Sequence, residues 1–264
     1  MKKIAPVRAT INGVMVTAFA SRAQLVSHVR HRNTALIAIN AEKVIGNDPD
    51  MQSFINDNIG FIDGVSVQAR FAMNRVFAPK IPGCELWLDL IDQFWRSKRF
   101  YLVGATQSVI DETVAQLETT YPGLKIVGYR NGYFEGNESS EAIAREISTL
   151  SPDVVFVAMG SPRQERFIQM CQASHPNALY LGVGGSFDIF TGRLNRAPRW
   201  LIACGLEWAY RWAREPFART GRILGLLKFL TRSRLVLLNR TQSPPANPQT
   251  VYPHAPSSAR QDKA

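Results

Sequence analysis

Polar residues follow two short apolar runs of this chain, in positions where they could take part in chemistry. Asn40 comes directly after the run 34–39, and Asp63-Gly64 comes after the run 60–62. Because ligands of open parallel sheets bind at the carboxyl ends of the strands, Asp63 could act there as a general base. Asp-Gly is also an ordinary turn pair, so the spacing alone leaves both interpretations open.

Two further turns could receive phosphate groups on free backbone N–H donors. Gly104 follows the run 100–103 and precedes a helical pattern, although the segment lacks both G-x-G-x-x-G and a P-loop lysine. Gly160 begins a polar turn after the strongest apolar run, and Arg163 and Gln164 could add side-chain donors to a bound diphosphate. A simple capped helix is the alternative for this second turn.

A third turn holds three glycines within the four positions 182–185. Close approach of a ligand to the backbone is one reason for Gly184 and Gly185, and a tight packing turn between a strand and a helix is the other. Asp188 could contact the same ligand or cap the helix that follows. With either explanation the turn forms part of the wall of a site.

The positive charge of the chain is concentrated towards its C-terminal end. The net charge is +10, and the stretch 193–240 holds eleven Lys or Arg against two acidic residues. Guanidinium groups match phosphate oxygens in two-point hydrogen bonding, and with so few acidic partners mutual salt bridges cannot explain most of them. The arginines with this potential are Arg193, Arg196, Arg199, Arg211, Arg214, Arg219 and Arg222.

Large apolar side chains alternate with these cations, and the mixture suits a surface that is both anionic and apolar. Trp200, Trp212 and Phe217 are typical of the interfacial belt of a protein that lies on a membrane. The most apolar stretch, 223–238, is interrupted by three cations and falls short of the roughly 18 residues that a span needs. Nucleic acid is the alternative partner, but the stretch is too apolar for a phosphate-tracking arm and carries no nucleic-acid-binding motif.

The elements that must position these groups alternate regularly along the chain. Short β-rich runs are separated by amphipathic segments of helical length, which predicts βαβ units and a mostly parallel sheet covered on both faces. The expected fold class is therefore α/β and Rossmann-like. Strands are predicted at 34–39, 100–103, 125–128, 154–159 and 179–183, and helices at 86–96, 107–119, 140–150 and 162–174.

The strand pattern disappears beyond about Pro198, and this change defines the expected domains. Residues 1–197 form the Rossmann-like core, and 198–240 form a basic amphipathic appendage with helices at 200–212 and 217–238. Residues 241–264 hold five prolines among Ser, Asn and Gln, which is typical of a disordered tail.

Other patterns exclude several classes of protein. Three scattered cysteines without C-x-x-C spacing argue against a disulfide framework and a zinc site, and favour buried thiols in a reducing compartment. His28 and His31 have no third ligand nearby, so no metal is expected. Residues 1–10 lack the apolar part of a secretory signal, which favours the cytoplasm. A dehydrogenase is disfavoured because the glycine fingerprint is absent.

Several long motifs occur in a fixed order, and with them the chain resembles the WecG/TagA/CpsF family of glycosyltransferases. The resemblance extends from about residue 10 to about residue 235. The motifs that carry it are INAEK at 39–43, DGVSV at 63–67, VAMGSPRQE at 157–165, YLGVGGSFDIFTG at 180–192, RAP at 196–198 and GLEWAYR at 205–211.

The resemblance implies an inverting enzyme, peripheral on the inner face of the plasma membrane, that moves a sugar from a UDP-sugar to undecaprenyl-diphosphate-linked GlcNAc. The sequences of the motifs INAEK and DGVSV are closer to the branch that adds N-acetylmannosaminuronic acid in enterobacterial common antigen synthesis than to the teichoic-acid branch. In the latter a threonine lies two residues before the motif asparagine, whereas this chain has Ala38, so a role of that hydroxyl does not carry over. UDP-ManNAc, UDP-glucose and UDP-glucuronate are the alternative donors, and homo-oligomerisation is left open.

By the same resemblance, Asp63 matches the proposed catalytic aspartate, and Gln164 matches a position associated with the acceptor diphosphate. We therefore expect Asp63 to take a proton from the acceptor hydroxyl and Asn40 to orient the donor or the acceptor. Cationic side chains would cover the site and replace the divalent cation of many sugar-nucleotide enzymes, so no metal or other cofactor is expected. The arginines assigned to phosphate are Arg196, Arg211, Arg214, Arg219 and Arg222.

Overall fold

The computed structural model describes residues 5–46, 48–134, 140–198, 200–201, 206–214, 229 and 233–237. Within these ranges the chain forms a nine-stranded sheet with helices on both faces. The expected α/β, Rossmann-like fold is confirmed.

An antiparallel hairpin opens the described part of the chain, with β1 (Val7–Ile11) and β2 (Val14–Ala18). Its turn residues Asn12 and Gly13 have φ of 50° and 84°, the geometry that Asn-Gly favours between two paired strands. The prediction of strands missed this hairpin, although an Asn-Gly pair between apolar runs is its usual signal.

The strands that follow the hairpin are short and largely buried, as expected of strands covered on both faces. Every residue of 154–158 is buried, for example. The strands are β3 (Thr34–Ile39), β4 (Ile59–Ile62), β5 (Arg99–Gly104), β6 (Lys125–Arg130), β7 (Val154–Ala158), β8 (Leu179–Gly182) and β9 (Leu235–Leu237).

Seven neighbouring strands are parallel, in a sheet of order β6-β5-β7-β8-β3-β4-β2-β1-β9. Ile39 pairs with Ile62 across β3 and β4, and Val157 pairs with Gly182 across β7 and β8, so their carboxyl ends meet at one edge. The chain passes from β5 to β6 in one direction and from β7 to β8 in the other. The boundary between β5 and β7 is therefore a topological switch point, where α/β proteins bind ligands.

Helices cover both faces of the sheet because their apolar residues recur at helical spacing. In the helix 83–94 the buried residues Leu86, Leu90 and Phe94 recur every four positions. The helices are α1 (Arg22–Val29), α2 (Ala41–Ile45), α3 (Pro49–Asn56), α4 (Val65–Met73), α5 (Gly83–Phe94), α6 (Gln107–Thr120), α7 (Ser140–Leu150), α8 (Arg163–Ser174), α9 (Ser186–Phe190) and α10 (Glu207–Arg214).

Two apolar layers hold the helices against the sheet. Buried residues of α2, α3, α4, α7 and α8 pack on one face, and those of α1, α5, α6 and α9 pack on the other. In the second layer the fully buried Trp87 contacts Phe156 of β7 and Phe187 of α9, with ring centroids 5.7 and 5.3 Å away. These edge-on aromatic contacts fix α5 and α9 over the middle of the sheet.

The predicted strands coincide with β3, β5, β6, β7 and β8 to within two residues at each end, and the predicted helices with α5 to α8 to within three. The expectation that strands cease at Pro198 is wrong, because β9 pairs with β1 and places Leu235 opposite Ile11. The predicted helix 217–238 is therefore wrong over 235–237. A run of Leu and Val suits either structure, and the free edge of β1 selects the strand.

The C-terminal predictions fall largely on other residues. The predicted helix 200–212 is interrupted at Leu206, and α10 begins at Glu207. Most of 198–240 and all of 241–264 lie outside the described residues, so the division into core, appendage and tail stays a prediction. Within the described ranges, no helix combines the length and apolar character that crossing a membrane requires.

Candidate active site

Two loops at the carboxyl edge of the sheet bring Asn40 and Asp63 together. The N–H groups of Asp63 and Gly64 both donate to the carbonyl oxygen of Ile39, at 3.2 and 3.1 Å, which ties the end of β4 to the end of β3. Gly64 lies so close to Asn40 that a Cβ at Gly64 would be 3.0 Å from the Asn40 Cα. The two residues predicted to carry the reaction therefore share one corner of the molecule.

Asn40 is held in place by a local cap. Its Oδ1 accepts a hydrogen bond from the backbone N–H of Lys43 at 3.1 Å, because Asn40 is the N-cap residue of α2. The side chain is half-buried at the start of the helix. The cap fixes its orientation beside Asp63.

The N-terminus of α5 points at the same corner. Gly83 donates its backbone N–H to Asp63 Oδ1 at 3.3 Å. A Cβ at Gly83 would lie 3.8 Å from the carbonyl oxygen of Gly182 and 4.0 Å from the Cβ of Ala38, so α5 begins directly above β8 and β3. The positive end of a helix favours a carboxylate, and the half-buried Asp63 is fixed in direction yet accessible to a ligand.

A buried polar network lies beneath these loops. Lys43 Nζ donates to the carbonyl oxygen of Ala38 at 3.0 Å and forms an ion pair with Glu165 Oε1 at 3.1 Å. Gln164 Nε2 donates to the same Glu165 oxygen at 3.0 Å, and Gln164 Oε1 accepts from the N–H of Gly184 at 3.0 Å. The network therefore joins the carboxyl ends of β3, β7 and β8.

The members of this network are withdrawn from water. The side chains of Lys43 and Glu165 are 7% and 3% exposed, and Gln164 is 5% exposed. Glu165 Oε2 is also buried and accepts no hydrogen bond from the described residues. A buried pair of opposite charges is costly to form and still more costly to break, so it rigidly sets the position of Gln164.

Gly160 and Gly184 leave space at the ends of β7 and β8. Their φ angles are 74° and 56°, which residues with a side chain rarely adopt, and no atom of the described residues lies within 4 Å of the position of an added Cβ. A ligand can therefore approach both backbones closely. Gly185 follows as the N-cap residue of α9 and is exposed.

Asp188 lies in the first turn of α9, where it is half-buried. The prediction that it caps this helix is wrong, because the N-cap position belongs to Gly185 and no side chain caps it. The carbonyl oxygen of Asp188 accepts the N–H of Leu194 at 2.9 Å. A ligand contact by its carboxylate stays a prediction.

Gly104 is explained by packing. With φ of 131°, it approaches β7 so closely that a Cβ would be 2.3 Å from the carbonyl oxygen of Ala158. Ala105 then donates to the same oxygen at 3.0 Å and accepts from Gly132 at 2.8 Å. The glycine closes the edge of the sheet at the switch point, and this role does not require a phosphate.

The described arginines of the prediction occupy different surroundings. Arg163 is exposed at the start of α8, with its guanidinium 5.6 Å from the centre of the Phe134 ring. Arg196 is bonded through Nη1 to Glu85 Oε1 at 2.5 Å, in the first turn of α5. Arg193 is further away, where it pairs with Glu112 of α6 at 3.0 Å.

Glu85, near the N-terminus of α5, binds Arg196 and also a second arginine. Arg22 bonds to Glu85 and, at 3.0 Å, to Asp89. Burial raises the pKa of Asp89, an effect that the Arg22 guanidinium partly opposes. Because Glu85 lies two residues after Gly83, this cluster places Arg196 beside the helix end that contacts Asp63.

The remaining arginines cannot be placed in the site. Arg211 and Arg214 belong to α10, but the positions of their side chains are not among the described features. Arg199, Arg219 and Arg222 lie outside the described residues. Their contact with phosphate stays a prediction.

Sequence reasoning missed the roles of Lys43, Glu165 and Gly83. In the sequence, Lys43 and Glu165 appear only as members of longer motifs. No local pattern shows that their side chains meet at the carboxyl edge of the sheet. Glu165 does carry one signal, since it is a charged residue on the same side of α8 as the buried Ile168. Pro82-Gly83 marks the true start of α5, three residues before the predicted one.

The chain has an Asp-x-Asp pair, Asp48-Pro49-Asp50, whose first carboxylate accepts from the N–H groups of Asp50 and Met51 as the N-cap of α3. Among the residues that the structure describes, no group of three or more His, Cys, Asp or Glu is arranged to hold a metal ion.

The fold is that of a Rossmann-like α/β protein, a class in which ligands bind at the carboxyl edge of the parallel sheet, and here that edge carries glycine turns and a fixed carboxylate. The model of the glycosyl transferase WecG/TagA/CpsF family matches residues 9–243. The chain belongs to this family and is a glycosyltransferase.

Proposed function

We propose that the protein transfers a sugar, with inversion, from a UDP-sugar to undecaprenyl-diphosphate-linked GlcNAc during the synthesis of a cell-surface polysaccharide. The observation that carries the proposal is the convergence of Asp63, Asn40 and the open glycine turns at one edge of the sheet, in a chain of a glycosyltransferase family. This edge supplies the two groups that the reaction needs, a base and a site for a diphosphate.

Asp63 is the proposed base. Its carboxylate takes the proton of the acceptor hydroxyl while the hydroxyl oxygen forms a bond to the anomeric carbon of the donor. The bond from this carbon to the diphosphate breaks on the opposite side, and its electron pair leaves with UDP. The hydrogen bond from Gly83 to Oδ1 fixes the direction of the carboxylate.

The glycine turns support a position for the donor diphosphate. Gly160 and Gly184 leave space at the ends of β7 and β8, and Gln164 lies between them with its Oε1 on the Gly184 N–H, so a diphosphate there would occupy the open space and not bind that amide. β8 and β4 are separated by β3, so their ends are roughly 10 Å apart at about 4.8 Å per strand. A diphosphate at Gly184 would thus leave room for one sugar before Asp63.

N-acetylmannosaminuronic acid is the proposed donor sugar, and enterobacterial common antigen is the proposed pathway. The sequences of the motifs at 39–43 and 63–67 support the branch of the family that uses this donor. Ala38 supports it too, because it stands where the teichoic-acid branch has a threonine. UDP-ManNAc, UDP-glucose and UDP-glucuronate are the competing donors within the same proposal.

The proposal is tested by incubating the purified full chain with undecaprenyl-diphosphate-GlcNAc and a panel of UDP-sugars, with the mass of the lipid product as readout. Asp63→Asn should lower turnover by about 10²- to 10⁴-fold, because the amide cannot take the proton. Its Oδ1 can still accept the Gly83 N–H, so the unfolding midpoint should stay near that of the parent.

Asp57→Asn is the matched control, since Asp57 is exposed at the opposite end of β4. It should leave both turnover and stability unchanged. Near-parental turnover of Asp63→Asn would remove Asp63 as the base, and the lack of any product with the whole panel would refute the proposed reaction.

Metal-independent transfer is a further part of the proposal, with cationic side chains in place of a divalent ion. EDTA should then leave the initial rate within about twofold of the untreated rate, since neither the base nor the diphosphate site needs a metal ion. Loss of activity that magnesium or manganese restores would contradict this and would direct attention to Asp48 and Asp50.

A further inference from the structure

An apolar groove runs along the outer side of α4, beside the candidate active site. It has a volume of about 450 Å³ and is lined by α4 and by the loop that follows it. Val65, Ala69 and Ala72 form its helical wall, and Phe77 and Pro79 form the other. These helix positions recur at intervals of three or four residues, so the groove is an apolar stripe that faces outwards.

The rim of this groove carries the most exposed apolar side chains of the described part of the chain. Phe77 is 83% exposed and Met73 is 72% exposed, compared with 63% for Tyr133 at the far end of the sheet. The loop is held firmly, because Gln68 Nε2 donates to the Ala78 carbonyl at 3.0 Å and Val76 donates to Phe71 at 3.0 Å. The apolar rim is thus a fixed feature of the surface.

The segment that forms the groove carries cations and no acidic residue, although Arg70 lies over the ring of the buried Phe229. The segment 64–84 contains Arg70, Arg75 and Lys80 and no Asp or Glu. Arg75 is exposed at the end of α4, next to Met73. Protruding apolar side chains between cations are the features of a surface that lies on an anionic bilayer.

The groove begins close to the site along the chain. Val65, at its near end, is two residues from Asp63, and α4 extends from there for roughly 13 Å at 1.5 Å per residue. A surface that holds α4 against a bilayer would bring Asp63 to the level of the headgroups. An acceptor sugar attached to a membrane lipid through a diphosphate is found at that level.

We propose that α4 and the loop 73–80 form a membrane-contact surface that docks on an anionic bilayer through Phe77 and Met73, separately from the basic C-terminal stretch. The inference deepens the proposed function and depends on it, because the surface delivers the site to a lipid-linked acceptor. A bilayer fits better than a protein partner because the two most exposed apolar side chains protrude, and the segment that carries them has cations and no acidic residue.

The test is flotation of the full-length chain with vesicles of phosphatidylcholine containing one third phosphatidylglycerol. Phe77→Ser combined with Met73→Ser should weaken binding by about tenfold or more, because two large apolar side chains no longer leave water. Arg75→Gln should weaken binding to these vesicles but not to pure phosphatidylcholine, and added salt should remove this difference.

Tyr133→Ser is the matched control, because Tyr133 is an exposed aromatic residue after β6, about 24 Å from β4 at five strand spacings. It should bind vesicles as the parent does. Equal losses for Tyr133→Ser and Phe77→Ser would overturn the assignment to α4. A double variant that binds vesicles normally but changes the sedimentation coefficient would show that the groove instead holds a second copy of the chain.

Activity on a water-soluble acceptor with a short prenyl chain separates this inference from the proposed function. The double variant should transfer sugar to that acceptor at the parental rate and fail only with vesicle-embedded acceptor. Transfer in solution with vesicle binding insensitive to Phe77 would refute the surface alone. Vesicle binding that requires Phe77, in a chain that transfers no sugar, would refute the proposed reaction alone.

Discussion

The buried pair of Lys43 and Glu165 shows how one contact can position a site without touching the ligand. Its charges lie between the ends of three strands, and Glu165 Oε1 accepts hydrogen bonds from both Lys43 and Gln164. Because Gln164 has no freedom to turn, its carbonyl oxygen stays on the N–H of Gly184. The pair acts through Gln164, so it is a positioning element of the site.

Breaking the pair should be more harmful than neutralising it. Lys43→Met leaves the Glu165 carboxylate buried and uncompensated, which we expect to cost about 3–5 kcal/mol of unfolding free energy. Adding Glu165→Gln removes that charge and keeps an acceptor for Gln164, so about half or more of the loss should be regained. Urea denaturation of the two single variants and the double variant measures this coupling; strictly additive losses would contradict it.

At the residue scale, the sequence was sufficient to select Asn40, Asp63 and Gln164 but not their supports. Asn40 and Asp63 directly follow β3 and β4, and Gln164 lies in the first turn of the helix that follows β7, so all three belong to local patterns near strand ends. Lys43 and Glu165 meet only because β3, β8 and β7 are neighbours in the sheet, and strand order is not encoded in local spacing. Strand order is decided by the packing of the whole sheet.

At the scale of elements, the carboxyl edge is built from turns that tolerate no side chain. β5 and β7 close on each other at Gly104, whose φ of 131° and contact with Ala158 both require glycine. Gly123, in the turn between α6 and β6, also has positive φ, at 93°, but among the described residues no atom lies within 4 Å of its added Cβ. A comparison of substitutions at the two positions therefore separates the effect of backbone strain from the effect of steric overlap.

Gly104→Ala should therefore destabilise the protein by more than Gly123→Ala. Both variants place alanine at positive φ, which costs about 1–3 kcal/mol, and only Gly104→Ala adds a backbone clash at 2.3 Å. We expect the unfolding midpoint in urea to fall clearly further for Gly104→Ala. Equal midpoints would mean that β5 and β7 can separate at this edge without cost.

Periodicity located the elements of the parallel region well, because strands buried on both faces leave continuous apolar runs. It failed at the other edge of the sheet. The pattern did not reveal β1 and β2 despite Asn12-Gly13, and it predicted a helix where β9 lies, since three residues are too few to distinguish the two-residue period of a strand from the 3.6-residue period of a helix.

On the scale of the whole molecule, the C-terminal stretch is joined to the body. Phe229 is fully buried in the layer that contains α4, with the Arg70 guanidinium 6.0 Å from its ring centre. β9 then pairs with β1, and Arg234 donates its N–H to Asn12 Oδ1 at 3.0 Å. Removal of the basic stretch would therefore remove part of the folded core as well.

A chain ending at residue 240 should melt at the temperature of the full chain, and one ending at residue 228 should melt lower. The shorter chain loses Phe229 and β9, a loss of about 3 kcal/mol or more, or roughly 6–12 °C in a domain of this size. Differential scanning calorimetry measures this difference. Phe229→Ala in the 240-residue chain should reproduce a large part of it; coincident melting of the two truncated chains would disprove the structural role.

The position of β9 also has a consequence for the chain as it leaves the ribosome. β1 precedes its outer partner by more than 200 residues along the chain. At a synthesis rate of about 5–20 residues per second, the outer edge of β1 stays unpaired for roughly 10–45 s before β9 is made. During that interval the nascent polypeptide exposes an unpaired strand edge, to which we expect holdase chaperones to bind.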